Sequence, residues 1–230
     1  MKKTLLLLTI VSIGFTGFSQ EEKSGVNQKR ENLQNIKENE KKATKFMVGA
    51  AQLNFSELST YLNVADYNKN TYYLGWGDSR QHNRFYYDGY LSFYLNQGNS
   101  ISDSSRTKLA GFSYFINFGY DLLKDKKMHI YPMIGLGYQK MWVRVEEDKF
   151  SSPFAGIDKV KYTIYNPAFM FDFGLEVKVP IYKKLAFSLK GGYKLDVSNP
   201  AWKYDGDKLG VKTNLSGVYA EFALILNHYK

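Results

Sequence analysis

The chain has 230 residues, no cysteine and a formal net charge of +9, with 19 Tyr and 16 Phe against 3 His and 5 Pro. The missing cysteines exclude disulfides, cysteine-bound metals and a lipid-modified cysteine. Beyond residue 44 no apolar run approaches the roughly 20 residues that a membrane-spanning helix requires, so any membrane passage there must use strands.

Residues 1–19 read as a secretory signal peptide. Lys2 and Lys3 open it, Thr4 to Phe18 form the apolar run, and Gly17 and Ser19 supply small residues for cleavage near Gln20. Removing the two lysines lowers the formal charge from +9 to +7. Residues 20–44 are polar and charge-rich. Leu33 and Ile36 fall on one face of a short helix, but so few apolar residues build no core. A periplasmic linker is expected there, followed by a single domain over 45–230.

From residue 45 the hydrophobic period is two. Tyr165, Pro167, Phe169, Phe171, Phe173, Leu175, Val177 and Val179 alternate with Asn166, Ala168, Met170, Asp172, Gly174, Glu176 and Lys178. A helix would mix these two sets, whereas a strand keeps them on opposite faces. The same alternation holds from Phe112 to Asp121, from Ile130 to Gln139, from Leu185 to Val197 and from Val218 to Asn227. Near Lys140 the parity slips and Met141, Val143 and Val145 become the apolar set, as a β-bulge would produce. Phe85–Asn96, a short strand over Thr71–Gly77 and a first strand over Phe46–Ser56 bring the total to eight, with residues 56–84 the least defined. Leu123–Lys127 and Ile181–Lys184 read as tight turns, and 97–107, 147–161 and 198–214 as longer polar links. Tight and long links alternate, which places short turns on one rim of an antiparallel barrel and long loops on the other.

The expected fold is therefore all-β, an eight-stranded antiparallel up-and-down transmembrane β-barrel. A soluble lipocalin-like carrier would also alternate, with its apolar face inside around a hydrophobic ligand. The membrane version is favoured by a nearly unbroken apolar face, by glycines such as Gly119, Gly135, Gly137, Gly174 and Gly192 on the polar face, and by aromatics at strand ends. Those end aromatics are Tyr120, Tyr131, Tyr165, Tyr182 and Trp202.

The segments Gly111–Tyr120, Ile130–Tyr138, Leu189–Tyr193 and Trp202–Tyr204, with the Phe18-Ser19-Gln20 signal ending, resemble the outer-membrane-protein β-barrel domain family of Gram-negative bacteria. The resemblance covers roughly residues 46–230. It implies a cell outer-membrane location, insertion by the barrel assembly machinery, and a fold rather than an activity.

The inward set predicted to carry charge is Asp88, Asp121, Asp172, Glu176, Lys178, Lys190, Lys194, Asp196 and Glu221. Charges of both signs in a narrow lumen neutralise one another and spare the cost of burying an unpaired ion. An eight-stranded barrel is only wide enough for side chains, which excludes a wide porin channel. The histidines are His82, His129 and His228; the last two are expected on the periplasmic side, and His82 in a turn near Gly77-Asp78-Ser79. That tripeptide lacks the strand–turn–helix setting of a hydrolase nucleophile, so no enzyme is expected. No metal-ligand spacing, phosphate loop or dinucleotide fingerprint occurs, no cofactor is implied, and Asp205-Gly206-Asp207 reads as a turn rather than a calcium loop. The expected function is a structural or surface-binding role through the long extracellular loops, with narrow-lumen transport of small solutes or ions as the alternative. The expected partners are outer-membrane lipid and lipopolysaccharide, not nucleic acid, with the chain as a monomer.

Overall fold

The computed structural model describes residues 40–62, 70–102, 105–123, 127–150 and 157–228. Their elements are β1 (Glu40–Gln52), α1 (Ser56–Tyr61), β2 (Asn70–His82), β3 (Phe85–Ser102), β4 (Ser105–Tyr120), β5 (His129–Phe150), β6 (Ile157–Tyr182), β7 (Leu185–Asp196), β8 (Ala201–Tyr204), β9 (Asp207–Lys212) and β10 (Gly217–His228). Strands β1 to β7 lie side by side in sequence order. β10 then bridges β7 and β1, with Glu221 opposite both Lys190 and Gly49, and closes an eight-stranded barrel. Closure matters because an open edge would leave backbone groups unpaired in lipid.

β8 and β9 lie outside that ring. β7 follows β6 only as far as Asp196 opposite Met170. Above that point β8 takes over the exposed edge of β6, with Lys203 opposite Tyr165, and β9 folds back on β8. The β8–β9 turn uses Asp205 (φ 47°) and Gly206 (φ 92°), the left-handed pair that an Asp-Gly hairpin turn demands.

The two rims differ. One carries the turns at Asn83-Arg84, Leu122-Leu123 and Lys183-Lys184, together with the start of β1 and the end of β10. The other carries α1, the β8–β9 hairpin and the far ends of β3–β6. β1 begins at Glu40, so strand structure starts five residues before the boundary expected at 45, and β2 extends from Asn70 to His82. The signal and most of the linker lie outside the described residues. Much of the expected links 97–107 and 147–161 is strand: β5 and β6 stay in register from His129 opposite Lys178 to Phe150 opposite Ile157. These are paired ribbons, continuous with strands whose inward Val143, Val145 and Ile164 are buried.

The parity slip at Lys140 is not a bulge. The β4–β5 and β5–β6 registers run unbroken through it. What changes is the environment. On β5, Ile134 and Leu136 face outward and are exposed, while Met141, Val143 and Val145 face inward and are buried. In the lower half the outside is apolar and the inside polar; in the upper half the inside becomes apolar. Met141, Val143, Val145, Leu109, Ile164 and Trp202 join Leu53, Phe55 and Leu58, around α1, in one buried cluster. Above the membrane the barrel is packed as a water-soluble protein, with its core within.

Tyr120, Tyr165 and Tyr182 take outward positions, as a membrane-interface girdle requires, but Tyr131 and Trp202 do not. Both are buried inside; Tyr131 donates to Gln81 (3.3 Å) and the Trp202 indole N–H donates to Thr213 (2.9 Å). Aromatic identity at a strand end does not specify the face; parity does.

Candidate functional site: the lumen of the barrel

Inward positions of seven strands converge on a buried charge network. Lys45 of β1 sits at its centre. Its ammonium lies 3.3 Å from Asp88 (β3), 3.3 Å from Glu176 (β6) and 3.1 Å from Glu221 (β10). Asn117 donates to Asp88 (2.7 Å) and the Tyr73 hydroxyl to Glu221 (3.2 Å). A second centre lies alongside, where Asp172 accepts from Lys190 (2.7 Å) and from the Tyr219 hydroxyl (2.7 Å). Such a cluster tolerates burial only because each ion is met by opposite charge and hydrogen bonds. Counting Lys178 near the short-turn end, four ammonium groups (Lys45, Lys178, Lys190, Lys194) face four carboxylates (Asp88, Asp172, Glu176, Glu221), all buried.

Lys194 is held differently. It is fully buried, yet its ammonium has no hydrogen-bond partner among the described residues. It lies instead over the rings of Phe115 (4.5 Å), Tyr219 (4.9 Å), Tyr73 (5.1 Å) and Tyr90 (6.0 Å). Ring faces attract a cation, and more so when water is excluded. Three of these rings exist in place because glycines face them. A Cβ at Gly137 would strike the Phe115 ring, one at Gly49 the Tyr73 ring, and one at Gly174 would come within 2.7 Å of the Tyr219 hydroxyl. The inward glycines thus make room for the cage walls.

Of the nine charged residues expected in the lumen, the structure brings Asp88, Asp172, Glu176, Lys190 and Glu221 together with Lys45. It places Lys194 in the cage and Lys178 over the Tyr86 ring (5.8 Å). Asp121 and Asp196 point inward but stand apart from the network, because each lies at a strand end and serves a rim. Asp121 accepts from His129 (2.6 Å) and from the Leu123 amide (3.0 Å). Asp196 accepts from the amides of Ser198, Asn199 and Leu215 and so ties down the upper link. Sequence reasoning misses Lys45, which it leaves at the edge of the linker, although the spacing from Ala43 and Met47 is an available signal.

A small cavity of about 30 Å³ opens at the short-turn end between Gln81, His129, Lys178 and Asn227. It suits only one or two waters. Asp78 and Ser79 point to opposite faces: Asp78 accepts from Thr44 outside (3.1 Å), and Ser79 is buried inside. No group of three or more metal-ligating residues occurs among the described residues.

The apolar outer belt, the closed ring and the short turns on the rim where β1 begins define an outer-membrane β-barrel, and the cell outer membrane is where such a surface is stable. A soluble carrier with an apolar lumen is excluded by the sidedness, since Phe46, Trp76, Ile134 and Leu175 face outward and the ions face inward. A major outer membrane protein from Thermus thermophilus superposes with a TM-score of 0.52 at 9% identity, over 82% of this chain and 99% of that one. OprG from Pseudomonas aeruginosa (TM-score 0.45, 8% identity, 84% and 97% coverage) and Ail, the attachment invasion locus protein of Yersinia pestis (0.44, 9%, 82% and 97%), are also similar. At these identities the likeness is one of fold. No family model matches the chain, and no curated protein matches it.

Proposed function

We propose that the chain is a non-enzymatic outer-membrane barrel whose structural or surface-binding role is carried by the ribbons that rise above the bilayer. The observation that carries this reading is the length of β5 and β6, 22 and 26 residues, where about 9–11 residues suffice to cross a membrane. The excess is strand paired as far as Phe150 opposite Ile157, and its base is cored by Met141, Val143, Val145 and Trp202. The filled lumen supports the same reading over transport, because the ion network and the Lys194 cage occupy the space a solute would need.

The test is a trimmed barrel in which 145–161 is replaced by a tight turn, displayed on cells and compared with the full chain. Adherence to a panel of envelope and extracellular glycans should fall on trimming while the barrel itself persists. Equal adherence by both would remove the role from the ribbons.

A further inference from the structure

The upper margin of the outer face is not uniform. On β4, β5 and β6 the apolar belt ends in Phe112, Trp142 and Tyr165, and basic side chains are set among and above them. Lys140 stacks its ammonium 4.6 Å from the Tyr165 ring centroid. Lys108 stands directly opposite Arg144 across β4–β5. Lys161 follows on β6, and Lys203 of β8 is opposite Tyr165. Glu146 is the carboxylate beside Lys108 and Arg144, 3.1 Å from the Arg144 guanidinium, while Asp205 and Asp207 lie farther up, at the β8–β9 turn near Lys203. On the other side of the barrel the corresponding outward positions, Tyr72 on β2, Leu95 on β3, Leu195 on β7 and Val218 on β10, carry no charge.

Like charges directly opposite in a sheet repel, and one glutamate does not neutralise Lys108, Lys140 and Arg144. We propose that this patch binds the phosphate of an outer-leaflet lipid headgroup. The headgroup would lie between Lys108, Lys140 and Arg144, and its acyl chains would run down the exposed apolar face of Tyr114, Ile116, Leu136 and Phe173. The cations stand where the apolar belt ends, which is where a lipid phosphate sits, on the neighbouring strands β4, β5 and β6 and on β8 beside them. Arg presents a fork matched to phosphate oxygens, and Lys a compact charge. A bound lipid would thereby brace the base of the β5–β6 ribbon.

The experiment uses the full barrel, refolded in detergent and titrated with bis-phosphorylated lipid A, with the same lipid dephosphorylated, and with inorganic phosphate, binding being read by native mass spectrometry. The variant Lys108→Gln/Lys140→Gln/Arg144→Gln should lose affinity for lipid A by about tenfold or more. Removal of three charges at the opposite rim, Lys127→Gln/Lys183→Gln/Lys184→Gln, should change it less than about twofold. The dephosphorylated lipid should bind wild type as weakly as lipid A binds the triple variant. Equal losses from both triple variants, or equal binding of the two lipids, would overturn the proposal. Inorganic phosphate binding as tightly as lipid A would mean a free-anion site and would overturn it too. Each variant is checked for its heat-dependent gel shift. The single changes Lys108→Gln and Arg144→Gln, both at solvated outward positions, give the same ordering should the triple variant fail to fold.

Discussion

Lys45 and Lys194 are both fully buried cations in one lumen, yet they are held by different physics. Lys45 is the shared counter-ion of three carboxylates, so Lys45→Met leaves Asp88, Glu176 and Glu221 to repel one another out of water. Removing one partner of a buried ion cluster costs about 3–5 kcal/mol. Among the described residues Lys194 satisfies no hydrogen-bond acceptor, and its cage of Phe115, Tyr73 and Tyr219 is as ready to pack a thioether. Lys194→Met is expected to cost about 1 kcal/mol or less, since the lost cation–π attraction is offset by the desolvation no longer required. Urea titration of the barrel in lipid vesicles measures both. The prediction fails if Lys194→Met proves as damaging as Lys45→Met.

At the scale of the strand, β5 crosses two solvents. Its lower outward side chains meet lipid and its upper inward ones form a water-excluding core, so equivalent substitutions should fail in different ways. Leu136→Arg puts a charge against the acyl chains and should cost about 2–4 kcal/mol of folding into the bilayer. Val143→Asp buries a carboxylate among Val145, Ile164 and Trp202, which should loosen the upper ribbon alone. Limited proteolysis of that variant is expected to nick the chain above the membrane while the unboiled band keeps its folded mobility. Loss of the folded band in Val143→Asp would show that the two halves of β5 are one cooperative unit. The alternation from Thr163 to Val179 is legible in the sequence and places every one of those residues on its observed face. The slip near Lys140 is legible as a change, but the pattern suggests the wrong cause. A bulge and a change of surrounding solvent leave the same trace in hydrophobic pattern, and only the unbroken pairing of Lys140 with Phe112 and Pro167 separates them.

For the molecule as a whole, the lumen is closed by its own side chains. Planar bilayers containing the purified barrel are expected to show no reproducible open channel. A stable conductance would require the Lys45 network to part and would favour transport over a surface role. Extraction from the outer-membrane fraction with a heat-dependent shift on gels is the companion expectation, because a closed ring of main-chain hydrogen bonds resists detergent until heated.

By itself the sequence determined the period of two, the alternation of short and long links, and hence an eight-stranded barrel with one apolar and one polar face. These follow from local chemistry, since each residue's face is set by its parity and its turn by its own φ preference. Only the tertiary structure decided that the long links are ribbons, that β8 and β9 extend β6 above β7, and which charges meet. Lys45 meets Asp88, Glu176 and Glu221 across four strands drawn from nearly the whole length of the barrel sequence. Asp121 and Asp196, alike in sequence pattern, end at the rims. Contacts of that range depend on barrel closure and stagger, which no local pattern of residues encodes.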